Sequence, residues 1–364
     1  QCNAGQAVVR EHFDCLTAKQ KLPSYILENN ELTELCVKAK GDEDWSRDVC
    51  LEPKASEYST VIQVPTSNSS IIYVWCTVLT LEPNSQVQQR MIVFSPLFIM
   101  RSHLPDPIII HLEKRSLGLS ETQIIPGRGQ ENPLQNVEPD LVHHLTFQAR
   151  EEYDPSDCAV PISTALIKQI ATKIQPGGTV NEMLDEFYGP EKSQEPTWPY
   201  SNKDSDRNEQ LSQWDSPMRV KLSIWKPYVR TLLIELLPWA LLINQSKWDL
   251  WLFEGEKIVL QVPAGKIIIP PNFQEAFQIG IYWENTNTVH KTLAIKLVHN
   301  LTSPKWKDGG NGEVVTLDEE AFVDAEIRLG AFPGHQKLCQ FCISSMVQHG
   351  IQVIQIEDKT TVIN

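Results

Sequence analysis

A short pattern returns three times along the chain and constrains its fold more than any other feature. It consists of a proline, an apolar run, a small polar residue six positions after the proline, and then alternating apolar residues. The copies read Pro23-Ser-Tyr25-Ile26-Leu27-Glu-Asn29 with Leu35 and Val37, Pro96-Leu-Phe98-Ile99-Met100-Arg-Ser102 with Ile108 and Ile110, and Pro238-Trp-Ala240-Leu241-Leu242-Ile243-Asn244 with Leu250 and Leu252. They align without a gap. One apolar strand runs into a polar turn and an alternating strand follows, which predicts a hairpin at the head of each β-module. The final residues, Thr361-Val362-Ile363-Asn364, read as a fourth asparagine at the head of another module.

Proline-marked turns follow the copies around Pro53, Pro126-Gly127 and Pro263-Ala264-Gly265, and short strands such as Ile71 to Leu79 lie between them. With 24 prolines and 17 glycines as punctuation, the pattern predicts an all-β fold, a tandem array of β-sandwich-like modules. At 364 residues and 41% apolar the chain can bury about two to four cores. Residues 1–21 read as the tail of a preceding β-module, 22–94, 95–236 and 237–357 as three modules, and 358–364 as the start of a further one.

The second module is the longest because it carries an insertion. Leu166, Ile167, Ile170 and Ile174 fall on one helical face and Val180, Met183, Leu184 and Phe187 on another, with Pro176-Gly177-Gly178 between them. A helical insertion is expected at 162–189. A polar insertion at 190–215 follows it, rich in Ser, Asn, Pro and charge, and reads as disordered or surface chain. Its aromatic groups are Trp198, Tyr200 and Trp214, and the two tryptophans either pin it to the β-body or form a docking handle.

A net charge of −14 excludes sequence-independent binding to nucleic acid or to an anionic membrane surface, both of which need a basic stripe. The greasiest stretch, Val229 to Ile243, is broken by Arg230, Glu235 and Pro238 and falls short of the roughly 20 apolar residues of a membrane span. It reads as two buried strands that turn at Pro238. Cys2, Cys15, Cys36, Cys50 and Cys76 crowd the start as a disulfide framework would, and Asn68, Asn244 and Asn300 head glycosylation sequons. A core of this size folds without disulfides, which favours a cytosolic reading.

Candidate chemistry reduces to structural roles. Cys339-Gln-Phe-Cys342, flanked by His335 and His349, has the look of a metal knuckle, but in a strand residues three apart face opposite sides, so the two thiols diverge. His143-His144 lies in an alternating run, one residue facing in and the other out. The acidic runs Glu151-Glu152 and Asp318-Glu319-Glu320 read as solvated surface, and Gly309-Gly310-Asn311-Gly312 as a hairpin loop. No nucleophile elbow, His-Glu-x-x-His pair or phosphate loop is present. The recurring Asn29, Ser102, Asn244 and Asn364 read as turn-closing residues, because an asparagine side chain can bond backbone groups two residues on.

At these residues the chain resembles the repeated modules of the adaptor-binding (VAB) region of the vacuolar protein sorting 13 family. The copies at 22–37, 95–110 and 237–252, the segments 95–107 and 225–239, and the closing 354–364 carry the likeness, which covers essentially the whole chain. It implies an arched array of β-modules, each marked by the asparagine, within a rod-like protein that moves glycerolipids between membranes at contact sites. It also implies that this region is not an enzyme, takes no cofactor or metal and carries no lipid itself. The implied partners are protein adaptors with Pro-x-Pro motifs, through which the protein sits peripherally on the cytosolic face of the Golgi or another organelle. Asn29, Asn244 and Asn364 match the family asparagine and Ser102 departs from it.

A proline-containing peptide suits the open strand edge of a sandwich, and the residues expected at such a site are Trp248, Leu250, Leu252, Phe341 and Ile343. Two other readings stay open. One is an extracellular adhesion or carbohydrate-binding β-array, and the other a passive structural spacer.

Overall fold

A computed structural model describes residues 34–47, 49–50, 57–68, 70–84, 87–149, 151, 155–156, 159–165, 197–200, 214–271, 273, 275–298, 314–330 and 336–359. Packing divides the chain into two units, Gln1–Ser95 and Pro96–Asn364. In the first, β1 (Glu34–Leu35) pairs with β2 (Val49–Cys50), and β3 (Glu57–Pro65), β4 (Ile71–Asn84) and β5 (Val87–Pro96) form a sheet in chain order. Alternate residues Ile62 and Val64 of β3 and Cys76 and Val78 of β4 are buried, with Leu35 and Val37 packed against them. β3 keeps the period of two of a sheet, whereas Trp75 to Leu79 of the middle strand are all buried, so β4 is covered on both faces over that stretch.

The second unit opens with nine strands. They are β6 (Phe98–Ser102), β7 (Ile108–Lys114), β8 (Leu119–Ile125), β9 (Glu131–Pro133), β10 (His143–Gln148), β11 (Val160–Ile162), β12 (Thr197–Tyr200), β13 (Trp214–Ile224) and β14 (Leu232–Pro238). They form one sheet in the order β12-β13-β14-β6-β9 and another in the order β11-β10-β7-β8. Phe98, Met100, Ile234 and Leu236 from the first and Ile110, Leu112, Leu145 and Phe147 from the second are all fully buried. Phe98 meets the His143 ring edge-on at 5.9 Å across the gap.

Eleven further strands complete the unit. They are β15 (Ala240–Asn244), β16 (Leu250–Glu254), β17 (Lys257–Val262), β18 (Ile267–Ile268), β19 (Phe277–Trp283), β20 (Thr288–Lys291), β21 (Ala294–Leu297), β22 (Val314–Leu317), β23 (Ala321–Leu329), β24 (Lys337–Gln348) and β25 (Ile351–Asp358). Their sheets run β18-β15-β25-β24-β23 and β17-β16-β19-β21-β22, with β20 also on β19. One core lies between them, built from Leu250, Leu252, Phe277 and Ile279 on one side and Leu242, Phe341, Ile343 and Ile354 on the other. The all-β array of sandwich-like modules read from the sequence is the fold.

The two sandwiches share one plan. The opening strand β6 lies parallel to the closing strand β14, Phe98 opposite Leu232 and Ser102 opposite Leu236. In the same way β15 lies parallel to β25, Ala240 opposite Gln352 and Asn244 opposite Ile356. Pro96 ends β5 and Pro238 ends β14. Each repeated proline therefore sits where one strand stops and the next module's opening strand begins, a place where a missing N–H is tolerated. Pro23, Asn29 and Asn364 lie outside the described residues.

Three sequence expectations are corrected. The strands flanking the turns of the second and third copies form no hairpin, since β6 and β7, like β15 and β16, belong to different sheets. The opening strand has a parallel partner on one side and a short antiparallel one, β9 or β18, on the other. No edge is left for the next strand to join, so the chain arches across the core. Second, the strands on either side of the segment holding Gly309 to Gly312, β21 and β22, pair in parallel, Ala294 opposite Val314, where a hairpin between them would make them antiparallel. That segment itself lies outside the described residues. Third, the polar insertion contains β12, which pairs with the start of β13, Trp198 opposite Ser216 and Tyr200 opposite Trp214. Of the expected helical insertion only 162–165 are described, and Ile162 ends β11.

The modules of the second unit meet at a tight turn. His349 and Gly350 join β24 to β25 with φ of 52° and 76°, the twist a two-residue hairpin needs. The Gly350 carbonyl accepts a bond from Arg219 Nη2 of β13 at 3.0 Å.

A second glycine is fixed by close approach. A Cβ on Gly127 would stand 2.5 Å from the Leu104 carbonyl oxygen and 2.7 Å from that of Asp106. Gly127→Ala is expected to lower stability by about 1–3 kcal/mol, measured by urea denaturation; a variant with an unchanged midpoint would show that the loop yields freely.

Candidate functional site

Each arch must satisfy the backbone groups that the turn removes from the sheet. In the third module Asn244 does this with every polar atom of its side chain. Its Nδ2 donates to the carbonyls of Trp248 and Val262, both at 2.8 Å. Its Oδ1 accepts the Ser246 N–H at 3.0 Å and the Ser246 hydroxyl at 2.7 Å. The residue has no exposed surface. One side chain thus ties the opening strand, the turn carrying Trp248 and the end of β17.

Ser102 fills the same place in the second module with fewer groups. It is fully buried, and its Oγ accepts the Leu104 N–H at 3.3 Å. The backbone keeps the shared pattern: Gly129 N–H donates to the Ser102 carbonyl at 2.8 Å, as Gly265 N–H does to that of Asn244 at 2.7 Å. The amide donors that serine lacks are partly replaced by the loop, since Arg128 N–H donates to the Leu104 carbonyl at 2.7 Å. Gly127 lets that loop come so close.

On the outer face of the second module a row of charges crosses four strands, Lys221 opposite Glu235, Glu235 opposite Arg101 and Arg101 opposite Glu131. Arg101 donates to Glu235 at 3.0 Å and also to Glu131, and His103 Nε2 donates to Glu235 at 3.0 Å. The His103 bond, with Arg101 and Lys221, outweighs burial and holds the Glu235 carboxyl down to about 2. The matching row of the third module, Ser344, Gln355, Ile243 and Ile267, is uncharged. The sequence signal was a charge inside each of two apolar strands, Arg101 and Glu235.

His143 and Lys114 are further buried ionisable groups of the second module. The His143 Nε2 accepts the Glu138 N–H at 3.1 Å, so the ring is neutral, and burial beside Lys114 pushes its pKa down from 6.5 to about 4. His144, its neighbour, is half-buried.

The residues expected to bind a peptide separate by exposure. Leu250, Leu252, Phe341 and Ile343 lie inside the core of the third module, so no peptide touches them while the sandwich is closed. Trp248 is partly buried at its margin. What the sequence did not bring forward is the strand beside it. β23 ends its sheet and pairs only with β24 among the described residues. Its inward Ala321, Val323 and Ala325 are only partly buried against the core, as is Trp283 at the end of β19. At the Leu329 end of β23, Lys337 stands opposite Leu329 with its ammonium 4.8 Å from the centroid of the Trp248 ring and 5.8 Å from that of Trp283.

These parts make a partly exposed apolar row on a strand that ends its sheet among the described residues, with two indoles near the Lys337 ammonium at its Leu329 end. Human intermembrane lipid transfer protein VPS13B is 93% identical to this chain over 360 residues, which are 99% of the chain and 9% of that protein. The chain belongs to the vacuolar protein sorting 13 family. It spans about 9% of the length of the curated relative it matches, and no family model matches it.

In this vacuolar protein sorting 13 segment no helix among the described residues is long and apolar enough to cross a membrane. Among the described residues no group of three or more His, Cys, Asp and Glu is placed to hold a metal ion. Cys339 faces the core and Cys342 the other side of β24, and burial raises both thiols. Asn244, which heads a sequon, is fully buried and out of reach of glycosylation in the folded chain.

Two predictions follow from these nodes. Asn244→Ala leaves the Trp248 and Val262 carbonyls and the Ser246 amide without their partner, and is expected to cost about 3 kcal/mol or more, against about 1 kcal/mol for Ser102→Ala; equal shifts in urea midpoint would refute the contrast. His143 takes up its proton more readily in the unfolded chain, so stability is complete above pH 6.5 and falls as pH drops toward 4, by about 3 kcal/mol at ~1.4 kcal/mol per unit. Chemical denaturation at pH 7, 5.5 and 4.5 measures this slope, and His143→Gln should flatten it. The Glu235 loss belongs to a lower window, from 4.5 down to about 2.

Proposed function

We propose that this segment is a non-enzymatic adaptor-binding array that recognises Pro-x-Pro peptides and so directs a lipid-transfer protein to its membranes, the Golgi among them. The observation that carries the reading is the nine-residue edge strand β23 with its partly open inner row and flanking indoles. An extended peptide can add to this edge, taking main-chain bonds from β23 and seating alternate side chains on Ala321, Val323, Ala325 and the tryptophans.

Strand geometry explains why such a peptide carries two prolines one residue apart. Along a strand the N–H and C=O of one residue point to one neighbour and those of the next residue to the other side. In Pro-x-Pro the middle residue can therefore pair with β23 while both prolines turn their donor-less nitrogens to solvent. Both rings then lie on one face, where indoles can receive them. Fixed φ lowers the ordering cost, and the prolines stop a further strand from adding on.

Lipid carriage by the segment itself is disfavoured by its filled interiors, since Phe273, Phe277 and Phe341 occupy the third core. The extracellular reading is weakened by the burial of Asn244 and by the unpaired thiols of Cys76, Cys339 and Cys342.

Labelled Pro-x-Pro peptides, each with a double-alanine control, are expected to bind in the micromolar range by fluorescence polarisation. Hydrogen exchange of the complex should show new protection at β23 amides and none at β17, the open edge of the facing sheet. Proline-dependent binding with protection confined elsewhere would move the site. No binding to the folded chain would leave the spacer reading in its place.

A further inference from the structure

We propose that the Leu329 end of the β23 edge selects peptides with a carboxylate beside the prolines, and that Lys337 is the selecting group; this rests on the peptide-binding reading above. Lys337 is exposed, yet its ammonium stands over both indoles instead of extending into water. A second ammonium, that of Lys247, lies 5.8 Å from the Trp248 ring centroid. Neither cation has a carboxylate within ion-pair reach among the described residues. The acidic groups nearby are engaged elsewhere. Asp358 Oδ2 accepts the backbone N–H of Lys247 at 3.0 Å, Asp324 holds Lys359, Glu326 holds Arg328 and Asp249 accepts the Ala264 N–H.

On a chain of net charge −14, two cations without acidic partners at the mouth of an aromatic site form a local exception. An acidic peptide is repelled by most of this surface and attracted here. The geometry also couples the two parts of the ligand. In the free protein Lys337 covers the indole faces that prolyl rings would use. A peptide carboxylate gives the ammonium a stronger, charge-assisted partner and draws it aside, which frees the indoles. A neutral peptide has to displace the cation without offering it a new partner. Lys337 thus acts against proline peptides that lack the acid, a repulsive element of the kind specific interfaces use.

The test compares two labelled Pro-x-Pro peptides that differ by Glu against Gln at the flanking position, titrated by fluorescence polarisation into the full chain and into Lys337→Met, which keeps the apolar stem. The Glu peptide is expected to bind about tenfold more tightly to the unchanged chain. On Lys337→Met the two peptides should bind alike, chiefly because the Gln peptide has tightened, and raised salt should erode the preference in the unchanged chain. Equal affinities on the unchanged chain, or the same preference retained on Lys337→Met, would overturn the proposal while leaving proline-dependent binding intact. Tight binding of the Glu peptide after both prolines are changed to alanine would keep Lys337 as an acid-reading site and remove the proline reading. If neither peptide binds a chain whose melting curve shows it folded, both are wrong.

Discussion

Parallel pairing between first and last strands is the constraint on which the rest of both modules of the second unit depends. In the second unit β6 takes β14 and β15 takes β25 as a parallel neighbour, which joins chain ends separated by the whole module. Such contacts carry a high loop-closure cost, and with them each of these two modules closes as a unit. The closing strand β14 then runs through Pro238 straight into the next opening strand. Closure of one sandwich therefore fixes where the following one starts, and the Arg219–Gly350 contact adds a second point of attachment. The polypeptide needs no flexible linker between these two modules.

The same pairing explains why a polar residue must sit at the end of each opening strand. With both edges of β6 and β15 occupied, the chain can only leave the sheet, and its arch carries carbonyls and amides away from any ladder. Asn244 meets that demand with two donors and two accepted bonds from one buried amide. Ser102 supplies one accepted bond, and the loop at Gly127 and Arg128 closes in to provide another donor. The two solutions place the energetic weight differently, in a side chain in one module and in a glycine's close approach in the other. A charged row fixes register on the outer face of the second module, where the third has neutral residues in the same row.

Much of the fold was legible in the sequence because the repeat is local. The proline, the apolar run and the asparagine lie within seven positions, and period-two alternation marks strands such as β7 and β23. Pairing was not legible. Nothing in Phe98 to Ile110 tells whether β6 and β7 bond to each other or face each other across a core; that follows from β14 and β9, which are distant in sequence. Thr197 to Tyr200 is equally opaque: Thr, Trp and Tyr favour a strand, but Pro199 and the polar sequence on both sides argue against one, and β12 exists through its pairing with β13. The candidate site shows the same limit. Leu250, Leu252, Phe341 and Ile343 have the composition of an apolar pocket but face inward, whereas an exposed edge is a property of sheet order, which places β23 last.

That edge poses a problem of its own. A nine-residue strand with no second neighbour among the described residues invites pairing with any extended chain, and natural sheets blunt such edges with charge. β23 carries Asp324, Glu326 and Arg328 beside the exposed Phe322 on its outward face, and Lys359 and Arg328 pair with the two acids. The charges leave the inner row of Ala321, Val323 and Ala325 accessible to a partner whose own side chains are small and whose backbone cannot recruit a further strand. Two prolines one residue apart satisfy both conditions. In the peptide-binding proposal the charges discourage indiscriminate addition, and the inner row with its indoles admits one class of extended ligand, so that the edge serves recognition where it would otherwise serve aggregation.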